Sequence, residues 1–450
     1  MPPAGYSLCH RRSLWITLAA VAWERRKPSW IRNAQDRALR RYLAQDVYPY
    51  SPYYQVQFGE AGVAQRGVKA RADLHMLPLT TFDDIVNPAS VVLRPDEQNI
   101  QQYARLGLVA RVFWAKLWRR EWVVNQRLID PVYKPLHWHV DDGFPIGSSA
   151  EDLDRLAELG RRWLELAGVA RYDVLVSVLP PGPNLPYWEL VLGARQAGVS
   201  ALHMNPSITL EQLAAARPNA IAGRPKELVR LLEAGRPIER NLEGLRTVLV
   251  AGARIDAATR HHLTQLVDGR ASVVVAWAPP GVRSLWCQCR EGDGFHTAPD
   301  AELIEVVDPL SGVPVAEGTD GEAVWTALDW KGTVFLRLRT GVLGAIDATP
   351  CPACGRTTPR LIPTSASEPS FARVLDSHPR VQAWQAELRT VEGQEELIVY
   401  ISLEPNGRPG RLLRELDRHL TVTQFVVLDR RRLDARISSH GDTRVLDLRP

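Results

Sequence analysis

The cysteines of this chain are concentrated in one segment, and this feature constrains the fold more than any other. Four of the five cysteines in the 450 residues lie between positions 287 and 354, and His296 lies among them. The pattern is Cys289-x6-His296, a long interval, and then Cys351-x2-Cys354. Zinc prefers tetrahedral thiolate and imidazole ligands, and ligands two to four residues apart allow one tight turn to supply two of them. The spacing therefore predicts a zinc site where two distant parts of the chain meet.

The predicted zinc ligands are Cys289, His296, Cys351 and Cys354, and Cys287 is a spare thiol that another register would favour. Four protein ligands leave no open coordination position, so the predicted role of the metal is structural. The competing interpretation is a set of unligated buried cysteines, which are common in cores. Clustered metal-binding thiols, rather than scattered pairs, are typical of the cytosol, so we expect a cytoplasmic location.

Composition excludes some classes of protein. The hydrophobic fraction of 45% and the charged fraction of 24% are those of an ordinary globular chain, and the length predicts roughly two or three domains. A net charge of +4 does not indicate a nucleic-acid partner. The apolar run 13–23 is too short to span a membrane, so no transmembrane segment is expected. Residues 1–27 are predicted to form a mature N-terminal helix, with a signal peptide as the alternative.

Helical and strand patterns alternate between residues 150 and 277. Ser149, Glu151 and Asp152 indicate the start of a helix that ends near Gly168. Further helices are predicted at 187–198, 208–217, 224–235 and 256–268, and strands at 173–179, 199–204, 245–250 and 271–277. Strands separated by helices of this length predict a parallel sheet that is covered on both faces.

The flanking regions have different patterns. Residues 28–85 are predicted to be helical with a turn at 48–52, and 300–348 to form short strands at 302–307, 321–328 and 334–338. Residues 101–125 predict a basic helix with Trp114, Trp118 and Trp122 on one face. We expect that face to pack on the protein; contact with a membrane surface or partner is the alternative. A small α+β module is predicted at the C-terminus, with a hairpin near 391–393, a helix at 410–420 and a strand at 423–428.

Several motifs resemble phenylacetate–CoA ligase-like enzymes of the adenylate-forming (AMP-binding) superfamily. They are V-V-D-P-L-S-G-V-P-V-A-E-G-T-D-G-E-A-V-W-T-A-L at 306–328, F-L-R-L-R-T-G at 335–341 and C-P-A-C-G-R-T-T-P-R at 351–360. The Cys/His set also matches a feature of that family. The resemblance implies an α/β adenylate-forming-enzyme fold. We expect a large N-terminal domain over 1–362 with the metal segment at 285–362, a linker at 363–369 and a small C-terminal domain over 370–450.

The resemblance also implies a reaction. In that family, ATP with magnesium converts a carboxylic acid to an acyl-adenylate, and coenzyme A then displaces AMP. The phosphate-binding loop of the family falls here on 136–143, where Asp141 and Asp142 oppose a polyanion. The element with the magnesium-binding Glu falls on 275–279 and ends in Pro279, which cannot ligate a metal.

Two further positions depart from the family pattern. Val342 stands where the ribose-binding Asp is expected after Arg-Thr-Gly, although Arg337, Arg339, Thr340 and Gly341 remain as a residual nucleotide-site scaffold. The catalytic Lys near the C-terminus is absent, because Lys331 is the last lysine of the chain and Gly441 is followed by Asp442. Arginine is not an equivalent point charge on a flexible stem.

These departures predict a non-catalytic homologue, a pseudoenzyme with no assignable catalytic residue. Its expected partners are a small carboxylic acid or acyl ligand, or a protein. Loss of four stabilising devices would cost several orders of magnitude in rate. One alternative is an active acyl- or aryl-CoA ligase with rebuilt motifs, and another is acyl transfer from a preformed thioester in the old pocket.

Overall fold

A computed structural model describes residues 23–96, 99, 129–234, 242–255, 257–292, 294–309, 311–364, 375, 380–391, 394–403, 410, 413, 423–439 and 445–448. The helices are α1 (Pro28–Tyr42), α2 (Pro52–Glu60), α3 (Ala150–Leu166), α4 (Leu185–Ala197), α5 (Leu210–Ala215), α6 (Pro225–Glu233), α7 (Ala257–Leu266) and α8 (Arg430–Ser439). Short helical turns lie at Tyr48–Tyr50, Arg71–Met76, Phe82–Asp84, Pro88–Val91 and Asp130–Tyr133.

The strands fall into three sheets. They are β1 (His137–Asp141), β2 (Phe144–Ser148), β3 (Val174–Ser177), β4 (Ser200–His203), β5 (Ala220–Gly223), β6 (Thr247–Ala251), β7 (Ser272–Trp277), β8 (Trp286–Cys287), β9 (Phe295–His296), β10 (Glu302–Val307), β11 (Gly321–Ala327), β12 (Leu338–Asp347), β13 (Arg360–Pro363), β14 (Val381–Val391), β15 (Gln394–Leu403), β16 (Gln424–Val427) and β17 (Val445–Asp447).

The largest sheet joins the two regions that the sequence distinguishes. Its strand order is β10-β11-β12-β13-β9-β8-β7-β6-β5-β3-β4. Strands β3 to β7 pair in parallel, whereas β7 to β13 pair through antiparallel contacts. The join consists of β8, β9 and β13, through the pairs Ala276↔Cys287, Cys287↔His296 and Arg360↔His296. The metal segment therefore lies in the middle of one continuous sheet.

Both faces of the parallel strands β3, β5, β6 and β7 are buried, as the sequence predicts, whereas the edge strand β4 is mostly exposed. On β6, Val248 and Val250 face one hydrophobic cluster, while Leu249 and Ala251 face the other. This alternation follows from the two-residue period of a strand. All four side chains are fully buried, so β6 has the apolar run that is typical of a central parallel strand.

Helices α3 and α4 cross at very close range on one face of the sheet. A Cβ atom on Gly160 would lie 2.5 Å from the carbonyl oxygen of Glu189, and one on Gly193 would lie 2.5 Å from the carbonyl carbon of Gly160. Only glycine permits this approach. Ser149 caps α3, since its Oγ accepts the N–H of Asp152 at 3.3 Å and Asp152 accepts the N–H of Ser149 at 3.0 Å. The predicted start of this helix is confirmed.

Some predicted elements are wrong in detail. The turn predicted at 48–52 is helical through Tyr50, because a π-helical stretch at Leu43–Val47 continues α1 before the chain turns at Ser51. The strand predicted at 334–338 is absent; β12 begins only at Leu338, because Arg337 has a φ of 49° and Leu336 donates its N–H to the Tyr54 hydroxyl at 2.6 Å. Strand β5 and helix α8 were not predicted.

The C-terminal residues form a separate four-stranded sheet in the order β16-β15-β14-β17. The predicted hairpin is present, with Val391 paired with Gln394. Its inward side chains, such as Trp384, Leu388 and Ile401, form a hydrophobic cluster of their own. The domain boundaries remain predictions. The N-terminal segment 1–22, the Trp-rich segment 101–125, most of the linker and most of 410–420 lie outside the described residues. Within the described part, no helix is long and apolar enough to cross a membrane.

Candidate functional site

The four predicted metal ligands lie together. One ligand atom from each of Cys289, His296, Cys351 and Cys354 lies within 4.8 Å of the other three. The Sγ atoms of Cys289 and Cys351 are 3.8 Å apart, and Sγ of Cys354 is 3.5 Å from Nε2 of His296. Tetrahedral zinc with Zn–S of about 2.3 Å and Zn–N of about 2.0–2.1 Å has edges of about 3.8 Å between sulfurs and about 3.6 Å between sulfur and nitrogen. The donor set and its spacing fit zinc.

Two loops and one short strand supply these donors. Cys289 follows β8, His296 ends β9, and Cys351 and Cys354 lie in the loop between β12 and β13. Two backbone hydrogen bonds close this loop. The N–H of Cys351 donates to the carbonyl of Arg356, and the carbonyl of Cys351 accepts the N–H of Gly355, both at 2.8 Å. Gly355 has a φ of 69°, a conformation that favours glycine. Cys287 does not belong to the cluster; its Sγ contacts the carbonyls of Gln288 and Trp163.

Burial and neighbouring groups shift the pKa values of the cluster residues in different directions. Burial, together with the charges of Arg356 and Arg360, lowers the pKa of His296 to about 4, so its imidazole is neutral at pH 7. Burial raises the pKa of Cys289 to about 12, and the neighbouring thiols of Cys354 and Cys351 add to this effect. Burial acts in the same direction on Cys351, but backbone N–H groups of Cys354 and Ala353 outweigh it and lower the pKa. A bound cation would stabilise the thiolate forms of these three crowded cysteines.

A second set of contacts joins the metal segment to the first described residues of the chain. Nε of Arg356 donates to Glu24 at 2.8 Å, and Nη2 of the same side chain reaches Glu165 on α3 at 3.2 Å. The N–H of Thr357 donates to the carbonyl of Glu24 at 2.8 Å. The cysteine loop therefore contacts the N-terminal segment, the sheet and α3.

A tight hairpin occupies the positions that the resemblance assigns to the phosphate loop. Strands β1 and β2 pair up to Asp141↔Phe144, so only Asp142 and Gly143 connect them. Both connecting residues have positive φ, 48° and 76°, as a type I′ turn requires. The Asp-Gly pair between strand-like segments is a hairpin signal that could have been recognised in the sequence. Oδ2 of Asp141 accepts the N–H of Gly281 at 2.9 Å, which places a carboxylate at the end of β7.

The end of β7 lacks a metal-binding carboxylate on its own strand. Pro279 is buried there, and Trp277 packs edge-to-face with Trp286 and Phe295. Burial raises the pKa of Asp141, an effect that the hydrogen bond from Gly281 partly offsets. Magnesium needs oxygen ligands, so Pro279 cannot take the metal-binding role that the resemblance assigns to its position.

An aromatic cluster that was not predicted from the sequence lies beside this hairpin. The ring of His137 lies 4.5 Å from that of Trp188 on α4, and Tyr187 lies 5.4 Å from His203 at the end of β4. Trp138 and Val140 on the opposite face of β1 are exposed, as is Leu136 just before the strand. The His-x-His pattern with Asp141 and Asp142 does not form a metal group; among the described residues, such a group is formed by the Cys/His cluster. Alternation of His and apolar residues along β1 was the available signal.

Comparisons with known proteins agree with the fold and the motifs. No family model matches the chain. It is 25% identical to a phenylacetate–coenzyme A ligase of Thermus thermophilus over 354 residues, which cover 74% of this chain and 69% of that one. It is 24% identical to the enzyme of the same name from Escherichia coli over 312 residues, which cover 67% and 64% of the two chains. The structure of 2-hydroxyisobutyryl-CoA ligase in complex with 2-HIB-AMP and CoA superposes with a TM-score of 0.62 at 16% identity, over 95% and 92% of the chains.

The chain is similar in sequence to phenylacetate–CoA ligases, and it shares the fold of 2-hydroxyisobutyryl-CoA ligase. The predicted resemblance and fold class are confirmed. As in the acid–CoA ligases that it resembles, a mixed α/β sheet forms the body of the chain. The metal, the cytoplasmic location and the loss of activity remain predictions.

Within this phenylacetate–CoA ligase-like chain, the predicted residual scaffold makes structural contacts. Nε of Arg337 donates to Glu305 at 3.2 Å, and Nε of Arg339 donates to Glu322 at 3.0 Å. Oγ1 of Thr340 donates to the carbonyl of Ala323 at 2.5 Å, and the N–H of Gly341 donates to Glu322 at 3.1 Å. These bonds hold β12 against its neighbours. A nucleotide-binding role for the set stays a prediction that these contacts do not favour.

Two other positions complete the comparison with the family pattern. Val342 is 5% exposed and belongs to the hydrophobic core, whereas Asp347 pairs with Arg360 at 2.5 Å and accepts the N–H of Thr349. Asp347 is therefore already engaged and does not replace a ribose-binding carboxylate. Gly441 and Asp442 lie outside the described residues. Lys331, the last lysine, pairs with Asp46 at 3.0 Å in the large domain.

Proposed function

We propose that this chain is a phenylacetate–CoA ligase-like protein that no longer adenylates an acid and instead binds an acyl or aryl group. Zinc held by Cys289, His296, Cys351 and Cys354 would fix the join between the parallel and antiparallel parts of the sheet. Zinc with four protein ligands stabilises a fold and activates no water. In this proposal the chain keeps the fold of an adenylate-forming enzyme. It lacks the phosphate loop, the magnesium-binding Glu, the ribose-binding Asp and the catalytic Lys of the family pattern.

The contact between Asp141 and Gly281 is the observation that carries this proposal. It supports the proposal because the resemblance assigns this strand end to ATP, and here a carboxylate engages a backbone N–H that a phosphate could otherwise use. A unit negative charge about 4 Å from a phosphate is unfavourable by about 1 kcal/mol in water and several-fold more in a partly buried site. Because the hairpin turn has only two residues, it also offers no wide concave loop.

The aromatic cluster beside the hairpin supports an acyl or aryl group as the ligand. Trp188, Tyr187, His137 and His203 lie near the ends of β1, β4 and α4 and offer flat, largely apolar surfaces. Burial lowers the pKa of His137 and of His203, so both rings are neutral at pH 7 and act as apolar walls with one polar edge. An aryl or acyl group suits such a surface better than a polyphosphate.

The test is nucleotide binding by the purified full chain. Calorimetry and thermal shift with ATP and magnesium should show no binding, and a panel of carboxylic acids with ATP should release no pyrophosphate, while metal content stays stoichiometric. A phenylacetate–CoA ligase in the same assay serves as the positive control. ATP binding with acid-dependent pyrophosphate release would instead establish an active ligase with rebuilt motifs, the candidate that the kinship to two such enzymes favours. Turnover of an acyl-CoA without ATP would indicate acyl transfer.

A further inference from the structure

A cavity lies between α1 and the edge of the large sheet, and no part of the proposed function uses it. Its volume is about 230 Å³. It is lined by α1, by β10, by the 315–318 loop and by residues next to the ends of β9, β12 and β13. None of its lining residues belongs to the β1–β2 hairpin, to α4 or to the turn after β7, so it is distinct from the strand ends where Asp141 meets Gly281.

The packing of α1 explains why the cavity exists. One face of α1 rests on β10, and Nε2 of Gln35 donates to the carbonyl of Glu302 at 3.1 Å, which holds the two elements together. The first turn of α1 carries Pro28 and Ile31 over the same sheet face, where Ile304 and Val306 are only partly buried. The gap that remains has an apolar floor. That floor is formed by Ile31, Leu303, Ile304, Val306 and Ile346.

Two arginines lie at this apolar floor. Arg32 and Arg71 both line the cavity. Nε of Arg71 donates to Asp36 at 3.2 Å. Within the described part of the chain, no ion pair or hydrogen bond engages the Nη atoms of Arg71 or the guanidinium of Arg32. Two guanidinium groups beside an apolar surface are suited to a carboxylate, which they bind through charge-assisted hydrogen bonds.

The carboxylates near the cavity leave donors of these arginines available. Glu302 is buried, and its oxygens already accept the Nε1–H groups of Trp286 and Trp325 and the N–H of Ala298. Glu317 lies on the 315–318 loop and is exposed to solvent. Asp36, which pairs with Arg71, and Glu317 balance the charges of the two arginines, so a carboxylate would be held by the Nη donors and not by a net positive charge.

We propose that this cavity binds a small monocarboxylate with an apolar body. The carboxylate would lie at Arg32 and Arg71, and the body would lie against the floor near Ile304 and Ile346. The volume is just below the range of about 300–1,000 Å³ of drug-sized ligand pockets, so the ligand must be small. The apolar floor and the lack of an excess positive charge argue against a nucleotide or a polyphosphate.

The experiment measures binding of benzoate, phenylacetate and octanoate to the full chain by calorimetry and ligand-detected NMR, without ATP or CoA. Each acid is paired with its neutral amide. A ligand of this size is expected to bind with a Kd of about 0.1–1 mM, and the amide at least about tenfold more weakly. Arg32→Gln and Arg71→Gln should each weaken binding of the acid by about tenfold. Arg37→Gln, an exposed change on the same helix that does not line the cavity, is the matched control.

A variant in the apolar floor tests the other half of the cavity. Ile304→Phe should abolish binding of the acid there by filling the floor. Melting temperature and metal content verify that each variant is folded. The proposal is overturned if no acid binds at about 10 mM, if acid and amide bind equally, or if binding is retained in Arg32→Gln, Arg71→Gln and Ile304→Phe. Because the assay contains no nucleotide, its failure leaves the proposed loss of adenylation intact.

Discussion

Sγ of Cys354 lies 3.5 Å from Nε2 of His296, although 58 residues separate them along the chain. Strands β9 and β13 bring them together through the pair Arg360↔His296. The cysteine loop is therefore positioned by a sheet register, and not by its own sequence. Metal bound here would link β8, β9 and β13, the three strands that connect the parallel and antiparallel halves of the sheet.

The first prediction concerns metal content. The purified protein should contain one zinc per chain, and Cys351→Ser should reduce this to less than about a tenth, because one of four ligands is lost. Its melting temperature should also fall. Cys287→Ser is the matched control, since Sγ of Cys287 contacts backbone carbonyls outside the cluster. Negligible zinc in folded wild-type protein, or equal loss in both variants, would contradict the assignment.

The second prediction tests the packing around the sulfurs. A Cβ atom on Gly292 would lie 2.4 Å from Sγ of Cys289 and 3.3 Å from Sγ of Cys351. Gly292→Ala should therefore displace a ligand and accelerate zinc loss to a chelator by about tenfold or more. Gly182→Ala, whose nearest neighbour would be 3.5 Å away, should release zinc at the wild-type rate. Identical rates in the two variants would show that the sulfurs do not hold the metal.

The third prediction concerns the pH dependence of stability. Burial raises the pKa of Glu189 to about 8, although hydrogen bonds from Ser284 and Leu285 oppose the shift. Between about pH 4.5 and pH 8, Glu189 therefore keeps its proton in the folded state and loses it in the unfolded state. Over this range the residue makes the free energy of unfolding fall by up to about 1.4 kcal/mol per pH unit. Glu189→Gln should remove that slope.

Urea unfolding at pH 5, 7 and 8.5 measures this slope. Glutamine keeps an acceptor for the N–H of Leu285 and a donor for Ser284, so the variant should gain most, relative to wild type, at pH 8.5. Glu165→Gln, which alters a glutamate with an exposed side chain, is the control and should keep the wild-type slope. A slope that is unchanged in Glu189→Gln would show that Glu189 ionises normally.

The fourth prediction concerns the crossing of α3 and α4. Gly193→Ala should lower the free energy of unfolding by about 2–3 kcal/mol, because its Cβ would overlap the backbone of Gly160. Gly59→Ala in α2 meets nothing within 4 Å and should raise stability by about 0.5–1 kcal/mol. Chemical denaturation of both variants gives the comparison. Equal stabilities would mean that the helices do not approach as closely as described.

The fifth prediction concerns Asp141. Asp141→Ala leaves the N–H of Gly281 without its acceptor and should cost about 1–3 kcal/mol of stability. Asp141→Asn keeps a carbonyl acceptor and should recover most of this loss. Neither variant should bind ATP, because the two-residue hairpin turn remains. ATP binding by Asp141→Asn alone would show that a single charge, rather than the shape of the hairpin, excludes the nucleotide.

The sequence alone was sufficient for the family, the alternating α/β pattern, the cap of α3 at Ser149 and the four residues of the metal cluster. These features depend on local patterns, which are hydrophobic periodicity, capping residues and motif spacing. The spacing favoured Cys289 and left Cys287 as the alternative of another register, because the two cysteines are only two residues apart. The tertiary structure decided that choice. The pair Cys287↔His296 directs the Cys287 side chain toward Trp163. The pairing of β13 with β9 brings Cys351 and Cys354 to Cys289. The same holds for Arg337 and Arg339, whose partners Glu305 and Glu322 lie on other strands and become neighbours only through the sheet register.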